Sequence, residues 1–261
     1  MKKINFIFVG GKKLGYESLK FLLRKKFRPI CVVPNKDDIG VDTEFCKSVL
    51  KLSKKNKLKV LKLNNIYNFI KKGKIDIDLI FCLGSTLILP KKILNIPKMG
   101  AINIHPSLLP KYRGRYSLVH AIFKNEKTTG ITIHWIGNKI DNGKIILQKK
   151  IKILNEDTSE TLYKKFTDIS ITEIKKIFSK LSSNKKIISK DIKKYNTLYK
   201  KKHLPNFGQI DWKWNGRKIY NFFRSMLHEP FNPPEVKIGS KTYFLVSKKY
   251  IKKGKFLNSP L

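Results

Sequence analysis

Apolar runs separated by amphipathic stretches are the feature that most constrains how this chain can fold. Short continuous apolar runs are typical of strands buried on both faces, whereas apolar residues spaced by three and four are typical of helices packed on one face. This alternation predicts an α/β fold, a doubly wound and mostly parallel sheet covered by helices on both faces. Strands are predicted at residues 2–9, 29–33, 59–61, 79–83, 100–104, 131–135 and 145–153, and helices after Gly10-Gly11 and at residues 43–52, 66–71 and 158–181.

The chain of 261 residues divides into three parts by composition. Residues 1–181 carry the alternating pattern and are predicted to form the catalytic domain, and residues 182–205 are predicted to be a linker rich in lysine. Residues 206–261 are predicted to form a small C-terminal subdomain, whose end beyond Lys252 is expected to fray. This subdomain is rich in aromatic residues, at Trp212, Trp214, Tyr220, Phe222, Phe223, Phe231, Tyr243 and Phe244.

Composition argues against several classes of protein. No stretch approaches the roughly 18 consecutive apolar residues of a membrane span, so no membrane association is predicted. The cysteines Cys31, Cys46 and Cys82 are odd in number and widely spaced, which favours neither a disulfide framework nor a metal site. A cytoplasmic protein that uses no metal is the resulting expectation.

The net charge of +39 raises the question of a nucleic-acid partner. The basic residues are 51 lysines and 6 arginines, and the lysines are spread along the whole chain. This distribution favours a generally solvated surface, because blocks of like charge usually face solvent. A functional basic face remains the alternative.

Asn103 and His105 lie two residues apart at the carboxyl end of a predicted strand, so their side chains project to the same face. Open parallel sheets bind ligands outside the carboxyl ends of their strands. Asp141 occupies an Asp-Asn-Gly turn between two later strands, from which it can reach this pair. An amide donor, an imidazole and a carboxylate suit acyl transfer to an amine. His120 and His134 are interpreted instead as packing or surface residues.

Candidate substrate-binding residues lie next to this motif and after the first strand. Arg113 and Arg115 stand out in a chain that otherwise uses lysine, which predicts a planar fork that grips an anionic substrate or holds the loop. Ser107, at the start of the same loop, is assigned to the substrate as well. Gly10 and Gly11 are candidates for cradling a phosphate, although a tight turn alone explains them.

Three stretches around these residues resemble the folate-dependent formyltransferase family. They are NIHPSLLPKYRG at residues 103–114, TGITIH at 129–134 and IDNG at 140–143. The resemblance covers about residues 10–166 and is specific in order and spacing. It implies a Rossmann-like formyltransferase fold and 10-formyltetrahydrofolate as cosubstrate. The catalytic residues that it implies are Asn103, His105 and Asp141. The folate-binding residues that it implies are Leu87, Ile88, Leu89, Ile140, Asn142 and Gly143, with ordinary core packing as the alternative for the apolar side chains before Pro90.

The amine acceptor is predicted from features outside the catalytic residues. The Arg-Gly-Arg-Tyr sequence at 113–116 and the small aromatic C-terminal part resemble nucleotide-sugar N-formyltransferases, although FNPPEV at 231–236 departs from the Gly-Ala of many relatives. A nucleotide-linked amino sugar is therefore the expected acceptor. Methionyl-tRNA is the alternative, for which the positive charge would attract phosphates. A third hypothesis is a basic binding protein with an inactive formyltransferase fold. The oligomeric state, including a homodimer, stays open.

Overall fold

Strands and helices alternate along most of the chain, as the apolar pattern predicts. The computed structural model describes residues 4–43, 46–183, 185–192, 197–228, 233–238 and 240–245. The elements up to the predicted catalytic strand are β1 (Phe6–Gly10), α1 (Lys12–Arg24), β2 (Cys31–Pro34), α2 (Val49–Lys55), α3 (Ile66–Lys72), β3 (Leu79–Leu83), α4 (Lys91–Leu94) and β4 (Ala101–His105). The later elements are β5 (Arg113–Gly114), α5 (Ser117–Phe123), β6 (Thr128–Trp135), β7 (Ile145–Lys152), α6 (Ser159–Ser182), β8 (Leu198–Tyr199), α7 (Gly216–Met226), β9 (Glu235–Ile238) and β10 (Lys241–Phe244).

Six of these strands form the central sheet, in the order β2-β1-β3-β4-β6-β7. β1 is parallel to β2 and to β3, and β3 is parallel to β4, whereas β4 is antiparallel to β6. From β1 the chain moves outward to β2 on one side, and it then returns past β1 to form β3 and β4 on the other side. This reversal of direction is the topology of a doubly wound fold. The predicted α/β fold with a mostly parallel sheet is confirmed.

Alternate residues of β1 contribute to the core on opposite faces of the sheet. Ile7 and Val9 are fully buried in a cluster that includes Ile66 of α3. The ring of Phe6 instead lies 5.6 Å from that of Phe178 on α6. Burying one such side chain stabilises the fold by about 1.5–3 kcal/mol. Because both faces are covered, the strand carries a continuous apolar run.

Two compact units are present in the chain, and each is assembled from three separate segments. The first unit comprises Met1–His105, Ile131–Lys149 and Phe166–Lys194. The second unit comprises Pro106–Gly130, Lys150–Lys165 and Tyr195–Leu261. Both units are therefore discontinuous in sequence, whereas composition along the sequence predicts three consecutive segments.

Aromatic residues from the end of the chain build the core of the second unit together with α5. The ring of Phe123 on α5 lies 5.4 Å from that of Trp214 and 5.9 Å from that of Phe222 on α7. Phe222 is fully buried, next to Val119 of α5. Trp214 and Phe222 thus pack against a helix that precedes them by about 90 residues, whereas Trp212, Tyr220 and Tyr243 are exposed. Phe231 lies outside the described residues.

A buried arginine connects α7 to the segment before α6 within the second unit. The Nη1 atom of Arg224 donates hydrogen bonds to the carbonyl oxygens of Leu154, at 3.0 Å, and of Asp157, at 2.6 Å. Its Nε atom donates to the side-chain oxygen of Asn221 at 2.9 Å. Buried charges require such partners, so this guanidinium stabilises the position of α7.

Two predicted elements differ in the structure. The helix predicted at residues 43–52 begins only at Val49, because the Ser48 side chain caps it by accepting from the backbone N–H of Lys51 at 2.9 Å. Upstream, the Thr43 hydroxyl oxygen accepts from the N–H of Cys46, which favours a loop over a helix. Phe45, which falls within the predicted helix, lies outside the described residues. The strand predicted at residues 59–61 is reduced to a single bridge between Val60 and Val32.

The described residues show neither a membrane-spanning helix nor a metal-binding group of side chains. Within them, no helix is both long enough and apolar enough to cross a membrane. The same residues contain no group of three or more His, Cys, Asp or Glu side chains arranged to hold a metal ion.

Candidate active site

The carboxyl end of β4 carries the two polar residues that the sequence places on one face. Asn103 is partly buried and His105 is buried, with 4% of its surface exposed. β4 pairs with parallel β3 on one side and with antiparallel β6 on the other, so its backbone is held from both edges. A strand fixed in this way gives side chains a more precise position than a loop does.

Asp141 reaches this strand end from the turn between β6 and β7. Its backbone is in the left-handed region, with φ of 47°, which Asp tolerates better than most residues. The nearby Gly143 has no room for a side chain, since a Cβ atom there would lie 1.7 Å from the carbonyl oxygen of Trp135. The Asp-Asn-Gly sequence thus permits a tight turn that aims the carboxylate back at the sheet.

The carboxylate of Asp141 contacts the imidazole of His105. The distance between Oδ2 of Asp141 and Nδ1 of His105 is 3.3 Å, and the two side chains are only 11% and 5% exposed. A carboxylate can only accept a hydrogen bond, so Nδ1 of His105 carries the proton. The Asp141 carboxylate thereby fixes the tautomer and the orientation of the His105 ring.

A second histidine, His134 of β6, belongs to the same cluster. Asn103 and His134 are direct cross-strand partners in the pairing of β4 with β6. The amide nitrogen of Asn103 lies 3.3 Å from Nε2 of His134, and Oδ1 of Asp141 lies 3.6 Å from that same Nε2 atom. The structure thus brings together four side chains where the sequence analysis assigned three.

The hydrogen bonds of His134 define its tautomer. Its Nδ1 atom lies 2.8 Å from the carbonyl oxygen of Trp135, which only accepts, so Nδ1 carries a proton. In the neutral ring Nε2 is then an acceptor, and it can receive one N–H of the Asn103 amide. This arrangement turns the Asn103 amide nitrogen toward the His134 ring. The second N–H of the amide points away from that ring.

His134 is buried, as the packing interpretation expected, and it also contacts the cluster. The side chain is buried, at 2% exposure, but its ring contacts two of the predicted catalytic residues. A signal was present in the sequence, because His134 lies inside the TGITIH stretch. Its position opposite Asn103 depends on strand register, which spacing along the chain does not reveal.

Cys82 lies directly beside this cluster and is not an active nucleophile. It is the partner of Asn103 in the pairing of β3 with β4. Burial raises the pKa of its thiol to about 12, although a hydrogen bond with Ser85 lowers it, and the negative charge of Asp141 raises it further. The protonated thiol is a packing group here, because the thiolate is the reactive form.

The residues predicted to bind the folate have different environments. Leu89 is buried at 7% exposure in the core on the α3 face of the sheet, and Leu87 packs against the same core. Ile88 is 73% exposed and Ile140 is 43% exposed. Large exposed apolar side chains such as these are available to a ligand, whereas Leu89 already has its packing partners.

The glycines after β1 are explained by close backbone packing. A Cβ atom at Gly10 would lie 2.0 Å from the carbonyl oxygen of Leu83, and one at Gly11 would lie 2.5 Å from the side chain of Asn35. The backbone N–H of Gly11 donates to that Leu83 oxygen at 3.3 Å. The tight turn that the sequence analysis considered as an alternative is thus present, and phosphate binding stays a prediction.

Ser107, Arg113 and Arg115 belong to the second unit. Ser107 is fully buried, and its hydroxyl donates to the carbonyl oxygen of Lys111 at 2.6 Å, which closes a turn of the loop. Arg113 is 7% exposed on β5, whereas Arg115 is exposed and its backbone N–H donates to the carbonyl of Tyr199 at 2.8 Å. Their assignment to the substrate stays a prediction.

His120, by contrast, packs as the sequence analysis expected. It is 5% exposed in the second unit, and its ring centroid lies 4.0 Å from that of Tyr199. Its Nε2 atom has no hydrogen-bond partner among the described residues. Burial lowers the pKa of His120 to about 4, and the positive charge of Lys124 lowers it further. The ring is therefore neutral near pH 7.

Fold and site together identify a formyl transferase. The family model described as "Formyl transferase" matches residues 1–175, and the chain belongs to this family. The family predicted from the three sequence stretches is thereby confirmed. Relatives of this chain within the family have names that specify different acceptors.

Two curated proteins from Wigglesworthia glossinidia brevipalpis are similar to this chain. The bifunctional polymyxin resistance protein ArnA is 37% identical over 229 residues, which cover 87% of this chain and 34% of that protein. The methionyl-tRNA formyltransferase is 32% identical over 268 residues, which cover 96% of this chain and 77% of that protein. The chain thus spans about a third of the length of the first relative and about three quarters of the second.

A solved structure resembles the chain over nearly its whole length. It is the N-formyltransferase from Helicobacter canadensis, in complex with folinic acid and dTDP-3-aminofucose. The TM-score is 0.76 at 25% identity, and the match covers 91% of this chain and 85% of that chain. The second unit is therefore included in a similarity that extends well beyond residue 175.

Proposed function

We propose that the protein transfers the formyl group of 10-formyltetrahydrofolate to the amino group of a nucleotide-linked amino sugar. The observation that carries formyl transfer is the convergence of Asn103, His105, His134 and Asp141 at the end of β4. The similarity to the Helicobacter canadensis enzyme, whose complex holds folinic acid and an amino-sugar nucleotide, supports this donor and this acceptor.

The donor set of the cluster fits a carbonyl group under attack. When bound, the folate cosubstrate supplies the formyl carbon. In our proposal, the second N–H of the Asn103 amide donates to the formyl oxygen as negative charge builds on it. The Nε2 atom of His105 provides a second donor when the ring is protonated, because Asp141 already holds Nδ1.

Asp141 has a second role in this proposal, as the acceptor of a proton. The amine nitrogen bonds to the formyl carbon and loses a proton, which a carboxylate can accept directly or through one water. The bond from that carbon to N10 of the folate breaks, and N10 takes up a proton as tetrahydrofolate leaves. Asp141 is 11% exposed at its side chain, so water can reach it while the surrounding groups limit the number of waters. No covalent enzyme intermediate is needed, in keeping with the protonated thiol of Cys82.

The folate-binding residues are proposed from the family resemblance of residues 87–89 and 140–143 and from the exposure of their apolar side chains. Ile88 and Ile140 have exposed side chains, and Leu87 is partly buried. A flat pterin covers apolar surface of this kind, and backbone groups at Asn142 and Gly143 can hydrogen-bond its polar edge. Replacing Ile88 by Asp is expected to raise the KM for the donor with little change in stability, since an exposed side chain carries little packing energy.

The acceptor is tested by a direct screen. Purified protein is incubated with 10-formyltetrahydrofolate and, in separate reactions, with a dTDP-linked 3-amino sugar, a UDP-linked 4-amino sugar and methionyl initiator tRNA. Formylation adds about 28 mass units to the acceptor, and the ratio of kcat/KM values measures specificity. Turnover of a sugar nucleotide at least about a hundredfold above tRNA is expected.

Formylation of methionyl-tRNA is the second candidate. One observation favours it, because the methionyl-tRNA formyltransferase from Wigglesworthia glossinidia brevipalpis aligns with 96% of this chain. The net charge of +39 also provides general attraction for a polyanion. Turnover of charged tRNA alone in the screen would replace the sugar proposal with this one.

A further inference from the structure

Two grooves lie at the edge of the sheet where the parallel strands begin, opposite the edge that carries the catalytic cluster. The larger groove has a volume of about 570 Å³ and lies between α3, α4 and the segments that lead into β3 and β4. The smaller groove, of about 320 Å³, is lined by the next residues of those segments, Asp78 and Met99, and by residues that follow α6. All of the lining residues belong to the first unit.

Both grooves combine an apolar lining with an aromatic ring. Tyr67 lines the larger groove beside Ile70 and Ile96, and about a third of its surface, 36%, is exposed. Trp135 lines the smaller groove beside Leu181. Tyr67 is exposed and Trp135 is partly buried. Aromatic rings with an accessible face above an apolar surface are groups on which unpaired bases stack.

Lysines surround the apolar lining in both grooves. The larger groove is lined by Lys71, Lys92 and Lys98, and the smaller groove by Lys185 and Lys186. Further exposed lysines flank the larger groove in sequence, at Lys72, Lys74 and Lys91. The Nζ atom of Lys71 lies 5.8 Å from the ring centroid of Tyr67, so charge and aromatic surface are adjacent.

The acidic residues of the grooves already have partners. The carboxylate of Asp76 lies 3.1 Å from Nζ of Lys98, and that of Asp78 accepts from the backbone N–H of Asn5 at 2.9 Å. Lys71 and Lys92 have no carboxylate partner within 4.0 Å among the described residues. The excess charge therefore favours an anion, and its extension over two adjacent grooves favours a polymer over a single phosphate.

We infer that the two grooves at this edge of the sheet bind single-stranded nucleic acid. The bases stack on Tyr67 in the larger groove and on Trp135 in the smaller groove, while the lysines contact the phosphates. Readout by stacking and charge is tolerant of sequence, so no specific sequence is required. This binding is independent of the formyl acceptor, because none of the lining side chains belongs to the catalytic cluster.

The test measures binding of a fluorescein-labelled oligouridylate of about 12 nucleotides by anisotropy, at low and at moderate salt. The groove variant is Lys71→Glu/Lys92→Glu. Its matched control is Lys54→Glu/Lys55→Glu, which changes the net charge equally at exposed lysines in the last turn of α2. Circular dichroism melting checks that both variants remain folded.

The groove variant is expected to lose at least about tenfold in affinity, with a smaller slope of log affinity against log salt, while the control changes by about twofold at most. Tyr67→Leu keeps the charge and removes the ring, and a loss of about fivefold or more is expected from lost stacking. Equal weakening in groove and control variants would overturn the proposal, because net charge alone would then explain binding. Absence of wild-type binding at low salt, full affinity in Tyr67→Leu, or equally tight binding of uridine monophosphate would overturn it as well.

Discussion

The amide nitrogen of Asn103 and Nε2 of His134 lie 3.3 Å apart, and they are held there by the direct pairing of the two residues across β4 and β6. Because His134 also donates from Nδ1 to the Trp135 carbonyl, its ring cannot rotate without losing a hydrogen bond. We therefore expect His134 to position the Asn103 amide, and the effect of substituting it can be measured as a change in activity.

Substitution of His134 is expected to reduce the rate through Asn103. In His134→Leu the amide loses its acceptor, and kcat is expected to fall about tenfold or more because a donor at the formyl oxygen is misplaced. In His134→Gln a side-chain oxygen can replace Nε2 as acceptor, so part of the rate should return. Steady-state kinetics with both substrates distinguishes this from a structural effect, since KM for the donor should change little. Equal loss in both variants would argue against a positioning role.

The His105 and Asp141 pair is expected to be essential for turnover. His105→Ala or Asp141→Asn should lower kcat by at least about a hundredfold, because in the proposed reaction the pair supplies the proton transfer and one of the donors. Thermal melting of both variants provides the control for folding. Nearly normal turnover in either folded variant would refute the catalytic assignment.

The turn that carries Asp141 is expected to tolerate no side chain at Gly143. A Cβ atom there would lie 1.7 Å from a backbone oxygen, so Gly143→Ala must move the turn, at a cost of about 3 kcal/mol in the free energy of unfolding and a large loss of rate. Gly216→Ala is the matched control, because nothing lies within 4 Å of a Cβ atom at the first residue of α7. Urea denaturation measures both, and the control should be neutral or slightly stabilised. A stable, active Gly143→Ala protein would contradict the geometry.

Buried His120 is expected to make the second unit sensitive to acid. Its pKa in the folded protein is about 4, below the unfolded value of about 6.5, so the folded state binds this proton less well. The contribution to stability is full above pH 6.5 and is lost as the pH falls toward 4. Between pH 7.5 and 4.5 the loss is about 2 kcal/mol.

The variant His120→Phe isolates this contribution, because it keeps an aromatic ring beside Tyr199 and removes the titrating group. Urea denaturation at the two pH values should show a smaller acid destabilisation in the variant than in the wild type. The same loss in both proteins would show that His120 does not cause it.

The sequence determined the parts of the protein that depend on local pattern. The period of two placed Asn103 and His105 on one face, and Asp-Asn-Gly indicated the turn that carries Asp141. The continuous apolar runs indicated a mostly parallel sheet, and their alternation with helices indicated a doubly wound fold. These features follow from sterics and burial within a few residues, so they are visible without knowledge of distant partners.

Only the tertiary structure decided which distant residues meet. His134 joins the cluster because β6 pairs with β4 in one register, and a shift by one residue would turn its ring to the other face. The late start of α2 at Val49 depends on its capping residue, and the reduction of the predicted strand at Val60 to a single bridge depends on its pairing partner. Local propensity is similar for several such arrangements, and long-range packing selects one of them.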